Sequence, residues 1–342
     1  MQPMRIMKAN SRDADEKGAI LIVVLWVILA ISVLAVSFSA SIRTEVDAAR
    51  NVVEQKQCFY LARAGIEYAV YEILRSQSAM AGAQQALEQD PESMPAVLTG
   101  NLSLVLGGGM ADVELIEESG KINLNFAPDH LIFNLLIMVG VPEAEADVIT
   151  DSIGDWKDPD DFVRAYGAES EYYMSLDPPY YPRNGPFAVP EELLMVQGVT
   201  PLIFYGKKGL SDTGEPVEYY GLQKYFTTFS SGRESRINIK SAPIPVLAAI
   251  PGLDYATAIM IDEIRSETPI QNASDIALMI PGISSEALGL LSVEKSNVFT
   301  INSVGKLSHS EVVSRIRSVI RVDGTGQKGY AVLYWNEANM EL

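Results

Sequence analysis

The sequence predicts an α+β chain in which a long N-terminal helix packs on an antiparallel sheet and a large, mostly α-helical domain is inserted between two halves of that sheet. Three observations carry this expectation. An apolar run near the N-terminus continues into a proline-free amphipathic stretch, strand-like segments occur both early and at the C-terminal end, and the chain between them carries an internal helical repeat.

The apolar run is Ala19 to Phe38, twenty residues without a charge or a proline. At 1.5 Å per residue it spans roughly 30 Å, the thickness of a bilayer core, so it reads as a transmembrane helix. Arg5, Lys8, Arg12 and Lys17 precede it, and this positive bias places the short leader in the cytoplasm and the rest of the chain outside. A cleaved secretory signal fits less well, because the run is longer than an ordinary signal core and ends without a small-x-small site. No proline falls between Pro3 and Pro91, and Ile42, Val46, Ala49, Val53, Tyr60, Ala64 and Tyr68 recur at helical spacing. The helix is therefore expected to continue to about Gln77, with Gly65 as its weak point at about 1 kcal/mol relative to alanine.

Strands follow from alternation and turn residues. Asn101–Leu106 and Met110–Ile116 flank Gly107-Gly108-Gly109 as a hairpin. Val298–Val304, Val313–Val322 and Tyr330–Trp335 supply the later strands, broken by Gly305 and by Asp323-Gly324-Thr325-Gly326.

Between these halves Ile122-Asn123-Leu124-Asn125-Phe126-Ala127-Pro128 recurs as Ile237-Asn238-Ile239-Lys240-Ser241-Ala242-Pro243. Each copy leads into a helix, a glycine turn (Gly140-Val141 or Gly252-Leu253) and a second helix. Such pairs resemble the helix-hairpin-helix module, which can present a helix N-terminus to a DNA phosphate. Against DNA stand Glu143, Glu145 and Asp147 after the first turn and Asp254, Asp262 and Glu263 after the second, where phosphate contact calls for Lys or Arg. A structural hairpin is the expected reading.

Composition excludes other classes. Net charge is −18, from 26 basic and 44 acidic residues, so nucleic acid is not an expected partner whereas divalent cations are plausible ones. Cys58 is alone and cannot form an internal disulfide; His130 and His309 make no catalytic or zinc spacing; no phosphate-binding glycine loop appears. No enzymatic activity is expected. From Glu143 to Glu192 there are thirteen acidic side chains and three basic ones. Asp155, Asp158, Asp160 and Asp161 lie in a proline-interrupted segment, and Glu169, Glu171 and Asp177 follow. As hard oxygen ligands they could converge on Ca²⁺, or they could form a solvated acidic loop with a helix cap. The spacing is not that of an EF-hand. Asp155 and Asp158 as a catalytic pair would need a substrate cleft that no motif announces.

Several of these residues also carry a family resemblance. Glu16-Lys17-Gly18 before the apolar helix looks like the site of the type IV prepilin peptidases, which implies cleavage after Gly18, a mature chain beginning at Ala19, and methylation. Pilins and pseudopilins usually have a glutamate at the fifth mature position, where this chain has Val23. Such an acid inside the membrane needs the α-amino group of a neighbouring subunit as partner, so a chain with valine there is suited to the end of a stack. That absence is characteristic of the minor pseudopilin protein K family of type II secretion. The resemblance continues through Glu118 to Asn125, Asp155 to Asp161, Tyr172-Tyr173 with Asp177-Pro178-Pro179-Tyr180, Gly221 to Ser231 and Asn238 to Pro243.

What it implies is a pilin-like fold with an inserted helical domain that binds calcium. The chain would sit at the pseudopilus tip with the I and J type minor pseudopilins above the major pseudopilin. It would be a single-pass protein of a Gram-negative inner membrane with its bulk in the periplasm. The expected organisation is a leader over 1–18, a transmembrane and amphipathic helix over 19–78, the first β part over 79–125, the insertion over 126–295 and the C-terminal strands over 296–342. The alternative reading is a membrane-tethered helix-hairpin-helix DNA-binding protein of an uptake system, and an anchored hydrolase stands third.

Overall fold

The computed structural model describes residues 12–86, 100–210, 216–219, 221–229, 235–267, 270–280, 282–294, 296–323 and 329–337. Most of the leader, part of the Gly221–Ser231 stretch and the 324–326 turn lie outside the described residues.

Helix α1 (Arg12–Ala86) runs without interruption through the apolar segment and beyond it. Its first half is bare: from Ile20 to Val53 every side chain is exposed. Burial begins with Glu54 and then follows Cys58, Ala62, Ile66, Ala69, Val70 and Ile73, a spacing that puts one stripe of the helix against the sheet. The helix is uncharged on all sides from Ala19 to Phe38, carries the exposed charges Arg43, Glu45, Asp47 and Arg50 after it, and packs one stripe on the sheet only from Glu54.

The sheet has the order β1-β2-β9-β10-β11 and is antiparallel throughout. Strands β1 (Gly100–Leu106) and β2 (Gly109–Glu117) form the expected hairpin, turning at Gly107 and Gly108, both at positive φ as the favoured two-residue turn demands. Strand β2 then pairs with β9 (Val298–Leu307), which pairs with β10 (Val313–Val322), and β10 with β11 (Tyr330–Asn336). Val113, Leu115, Phe299, Ile301, Ile316 and Ile320 close over the helix stripe as one apolar core. Gly65, expected as a weak point, lies at a close approach of helix and sheet. A Cβ there would run into Ser303 Oγ, Val113 and Ala111, and one at Gly305 would meet the backbone of Cys58. The helical cost of glycine is offset by packing that a larger residue would prevent.

Everything between Glu117 and Val298 is inserted at a single seam, since these residues pair near the edge of neighbouring strands (Glu117 with Phe299). The insertion comprises β3 (Ile122–Asn123), α2 (Asp129–Met138), α3 (Glu143–Lys157), α4 (Ser170–Met174), α5 (Pro201–Tyr205), β4 (Lys207–Leu210), β5 (Pro216–Tyr219), β6 (Phe226–Thr227), β7 (Ile237–Asn238), α6 (Ile244–Ala248), α7 (Tyr255–Glu267), α8 (Ala273–Met279), α9 (Ser285–Leu290) and β8 (Leu291–Ser292). Its apolar residues form a core separate from that under the sheet. Ile122 and Leu124 belong to this inserted core, so the first sheet part ends at Glu117 rather than at 125, and α1 extends past the expected 78. A strand next to a loop gives no boundary signal in sequence; only the pairing partner does.

The two similar segments adopt the same local geometry. Asn123 Oδ1 accepts from the Asn125 N–H at 2.9 Å and its carbonyl from the Ala127 N–H at 2.8 Å; Asn238 does the same with Lys240 (3.0 Å) and Ala242 (2.9 Å). Each Ile-Asn pair forms a short parallel ladder, β3 with β6 and β7 with β8. Each then feeds a helix pair, α2–α3 turning at Gly140 (φ 92°) and α6–α7 turning at Gly252 (φ 85°). A further turn of this kind stands between α8 and α9 at Gly282, where Ile280-Pro281-Gly282-Ile283 echoes Ile250-Pro251-Gly252-Leu253, a repetition that sequence reasoning missed.

The insertion is tied to the sheet through a turn at Glu118–Gly120. Glu118 and Lys121 are buried and form an ion pair, and Glu118 also accepts from Thr300 Oγ1 of β9 at 2.7 Å. Asn238 of the second segment donates to Ser119 Oγ at 3.2 Å. A second tie lies across the outer face of the sheet, where Arg317 meets Glu191 at 3.2 Å.

Candidate functional site

The acidic stretch is built on the end of α3. Pro159 follows Asp158 and disfavours helical backbone there, so the helix stops at Lys157, with the Asp158 N–H closing the last turn onto Gly154. The chain then descends as a loop whose amides are held by carboxylates. The Phe162 N–H donates to Asp160 Oδ1 at 3.0 Å, the Arg164 N–H to Asp155 Oδ2 at 3.2 Å, the Tyr166 N–H to Asp151 Oδ2 at 3.0 Å, and the Ser170 N–H to Asp161 Oδ1 at 3.3 Å. Arg164 folds back over the glycine face of α3, where a Cβ at Gly154 would collide with the guanidinium. It reaches Asp129 Oδ2 at 2.7 Å, Asp155 at 3.4 Å and Asp158 at 3.9 Å.

Of the seven carboxylates expected from sequence, the structure gathers three. Oxygens of Asp158, Asp160 and Glu169 all lie within 4.8 Å of one another. Two ligand oxygens on one Ca²⁺ at about 2.4 Å each are separated by at most about 4.8 Å, so the cluster has the size of a calcium shell. The strongest sign is Glu169. It is 2% exposed, yet neither of its carboxylate oxygens has a hydrogen-bond partner, and Asp158 Oδ1 is likewise buried and unpartnered. Burial, together with the charges of Asp155, Asp158 and Asp161, pushes the Glu169 carboxyl up to about 7. Burial and the neighbouring Asp160 raise Asp158 as well. A buried carboxylate with no donor and three like charges nearby is a poor solvated loop and a good cation ligand, so the donor set fits Ca²⁺.

The remaining expected residues have other places. Asp155 is fully buried but engaged by the Arg164 backbone and guanidinium, and burial raises its carboxyl despite that partner. Asp161 holds the Ser170 amide. Glu171 and Asp177 are exposed and are not members of the three-residue group. Sequence reasoning missed Asn184, whose side chain donates to the Asp160 carbonyl at 3.2 Å while its Oδ1 is buried without a partner. Its one signal in sequence was the Asn-Gly pair, Asn184-Gly185, consistent with the positive φ of 46° at Asn184. It also missed Arg164 as the organiser of the loop. At the other end of the molecule, Gly18 and Ala19 lie inside α1, and Val23 stands on its bare half.

Fold and site define a class: a chain with, among the described residues, one helix long and apolar enough to cross a membrane, packed in its second half on an antiparallel sheet, and carrying a helical insertion with a cation-sized acidic cluster. Residues 118–205 match the family model described as Type II secretion system (T2SS), protein K. Over this region, about a quarter of its length, the chain is similar to the protein K family of type II secretion systems.

The type II secretion system protein K of Aeromonas hydrophila is 41% identical over 71 residues, and a relative in Escherichia coli strain K12 is 35% identical over 77 residues. These stretches cover 22% and 24% of the two relatives' lengths, respectively. A crystal structure of the GspK-GspI-GspJ complex from the type 2 secretion system of enterotoxigenic Escherichia coli resembles the chain with a TM-score of 0.53 and 20% identity, over 81% of this chain and 99% of that one. That likeness is one of fold.

Proposed function

We propose that this chain is a minor pseudopilin that caps the tip of a type II secretion pseudopilus, a structural subunit for export of folded proteins across the outer membrane and not an enzyme. The observation that carries the reading is the architecture around the seam. A helix with a bare apolar half and a packed half supports a split sheet, and the segment inserted at the split is the one that matches protein K. The GspK-GspI-GspJ complex supports I and J type pseudopilins as partners, and the stack beneath them would be the major pseudopilin. The apolar run of α1, Ala19 to Phe38, would lie in the inner membrane and the chain after it in the periplasm. A prepilin peptidase would cut between Gly18 and Ala19, with methylation of the new terminus, and Val23 would leave no acid for a subunit placed above.

Within the insertion we read the two Ile-Asn segments and their helix pairs as copies of one helix-hairpin-helix-like unit in a structural role. The family matches lend no support to DNA binding, and Glu143, Glu145 and Asp254 stand at the helix starts that would have to meet phosphate. Asp158, Asp160 and Glu169 would hold Ca²⁺. The ion would neutralise their mutual repulsion, and these side chains would hold the 158–169 loop in place around it.

Complementation of export tests the proposal. In a bacterium with a type II system, loss of this chain should stop secretion, and the wild-type chain should restore it. Gly18→Glu should fail, because a charged side chain does not fit a peptidase subsite shaped for glycine. Normal secretion without the chain would refute the assignment, and a working Gly18→Glu variant with an unprocessed leader would refute the cleavage site.

A further inference from the structure

The loop that descends from α3 carries a feature that neither its fold nor a bound cation explains. Phe162 is 83% exposed, Val163 58% and Tyr166 59%, so three large apolar side chains point into solvent within five residues. Exposed apolar residues are ordinary when scattered, but these share one short loop. The loop is also firmly held. The N–H groups of residues 162, 164 and 166 are each bonded to a carboxylate, from Asp160, Asp155 and Asp151, and the Arg164 side chain between them is turned inward onto Asp129 and Asp155. Backbone held in this way keeps the apolar side chains on display and lowers the ordering cost of binding.

We propose that the Phe162–Tyr166 tip docks into a protein partner whose surface offers an apolar pocket rimmed by Lys or Arg. The rim follows from charge. Outside the cation cluster, Asp151 and Asp161 bond the amides at and just after the tip, in a chain of net charge −18. A second copy of this chain would oppose its own negative charge, and an anionic lipid surface would repel it. A basic rim is the complement that attracts this acidic surface while the pocket takes the rings of Phe162 and Tyr166. The proposal stands on the loop alone and does not require the pseudopilin reading.

The test is photo-crosslinking in the native bacterium with the full chain. p-Benzoylphenylalanine is placed at position 162, and at position 278 as control, since Leu278 on α8 is 81% exposed but lies on another element. The expected result is one discrete protein adduct from 162 that is absent from 278, with Lys or Arg flanking the captured residue. A second measurement separates docking from folding. With the photoreactive residue moved to 166, Phe162→Ser should lower the same adduct about tenfold or more, the loss expected when one phenylalanine ring no longer leaves water on association, while the melting temperature stays within a degree of wild type. The proposal is overturned by no adduct at 162, by the same adducts from 162 and 278, by adducts to lipid or to another copy of this chain, by a captured surface without basic residues, or by an unchanged yield in Phe162→Ser.

Discussion

Lys121→Met examines the joint between insertion and sheet. Lys121 and Glu118 are 3% and 2% exposed at the side chain, and the carboxylate keeps Thr300 Oγ1 of β9 as a donor, with the Thr227 side chain also bonded to it. Removing the ammonium leaves a buried charge without its counter-ion, which costs about 3–5 kcal/mol. For a domain of this size that is a fall in melting temperature of about 6–20 °C. Replacing both partners, Glu118→Leu with Lys121→Met, removes the buried charge along with its partner. It should recover most of the loss, to within about 1–2 kcal/mol of wild type, the residue being the orphaned Thr300 hydroxyl.

The pH dependence gives an independent sign. Despite burial, the coulombic attraction and hydrogen bond of Lys121 hold the Glu118 carboxyl below its ordinary 4.5. In wild type this contribution is present above about pH 4.5 and is lost as pH falls through the lowered folded value. In Lys121→Met the unpaired buried carboxyl is raised instead, so the variant regains stability on acidification. The gap between the two proteins should be widest near pH 7 and shrink toward pH 4 in thermal melts of protein lacking the apolar run. A double variant as unstable as the single one, or a gap independent of pH, would refute the account of this joint.

Three further outcomes follow from the site and the core. Ca²⁺ at about 100 times its dissociation constant should add about 2.7 kcal/mol, or roughly 5–10 °C in melting temperature, and chelator should remove it; in Asp158→Asn with Asp160→Asn the two melting curves should coincide. Because burial and neighbouring carboxylates raise Glu169 to about 7, the chelated protein should lose stability as pH rises from about 4.5 to 7. The calcium-dependent gain should therefore grow over that window, and a gain that shrinks with pH would count against Glu169 as ligand. Gly65→Leu should cost at least 1–3 kcal/mol by forcing α1 off β2 and β9, and a neutral result would mean the close approach of helix and sheet is not needed.

Much of this fold was legible because its signals are local. The apolar run, the absence of proline before Pro91 and the Gly107-Gly108 turn each dictate backbone without reference to distant residues. The seam was less legible, because Glu117 and Phe299 are neighbours only through pairing across the insertion. Gly65 was misread for a similar reason: its helical cost is local, but the Ser303 and Val113 side chains that require it are far away in sequence.

In the site, the acidic excess pointed to a loop where the structure gathers three of the seven carboxylates, without showing which three. Composition does not distinguish Asp155, engaged by Arg164, or Asp161, engaged by an amide, from Glu169, which has no donor at all. Which carboxylates remain unpaired is decided by where α3 ends and how Arg164 folds back across Gly154, and neither is written in the spacing of acids.

The central claim, that this chain assembles at a pseudopilus tip, is tested most directly by mixing its purified portion from Arg43 onward with the corresponding portions of the I and J type pseudopilins of the same bacterium and measuring mass by light scattering after size exclusion. The account predicts a single hetero-complex that persists at low micromolar concentration. Elution of every component at its own monomer mass, up to high micromolar concentration and with calcium present, would contradict it.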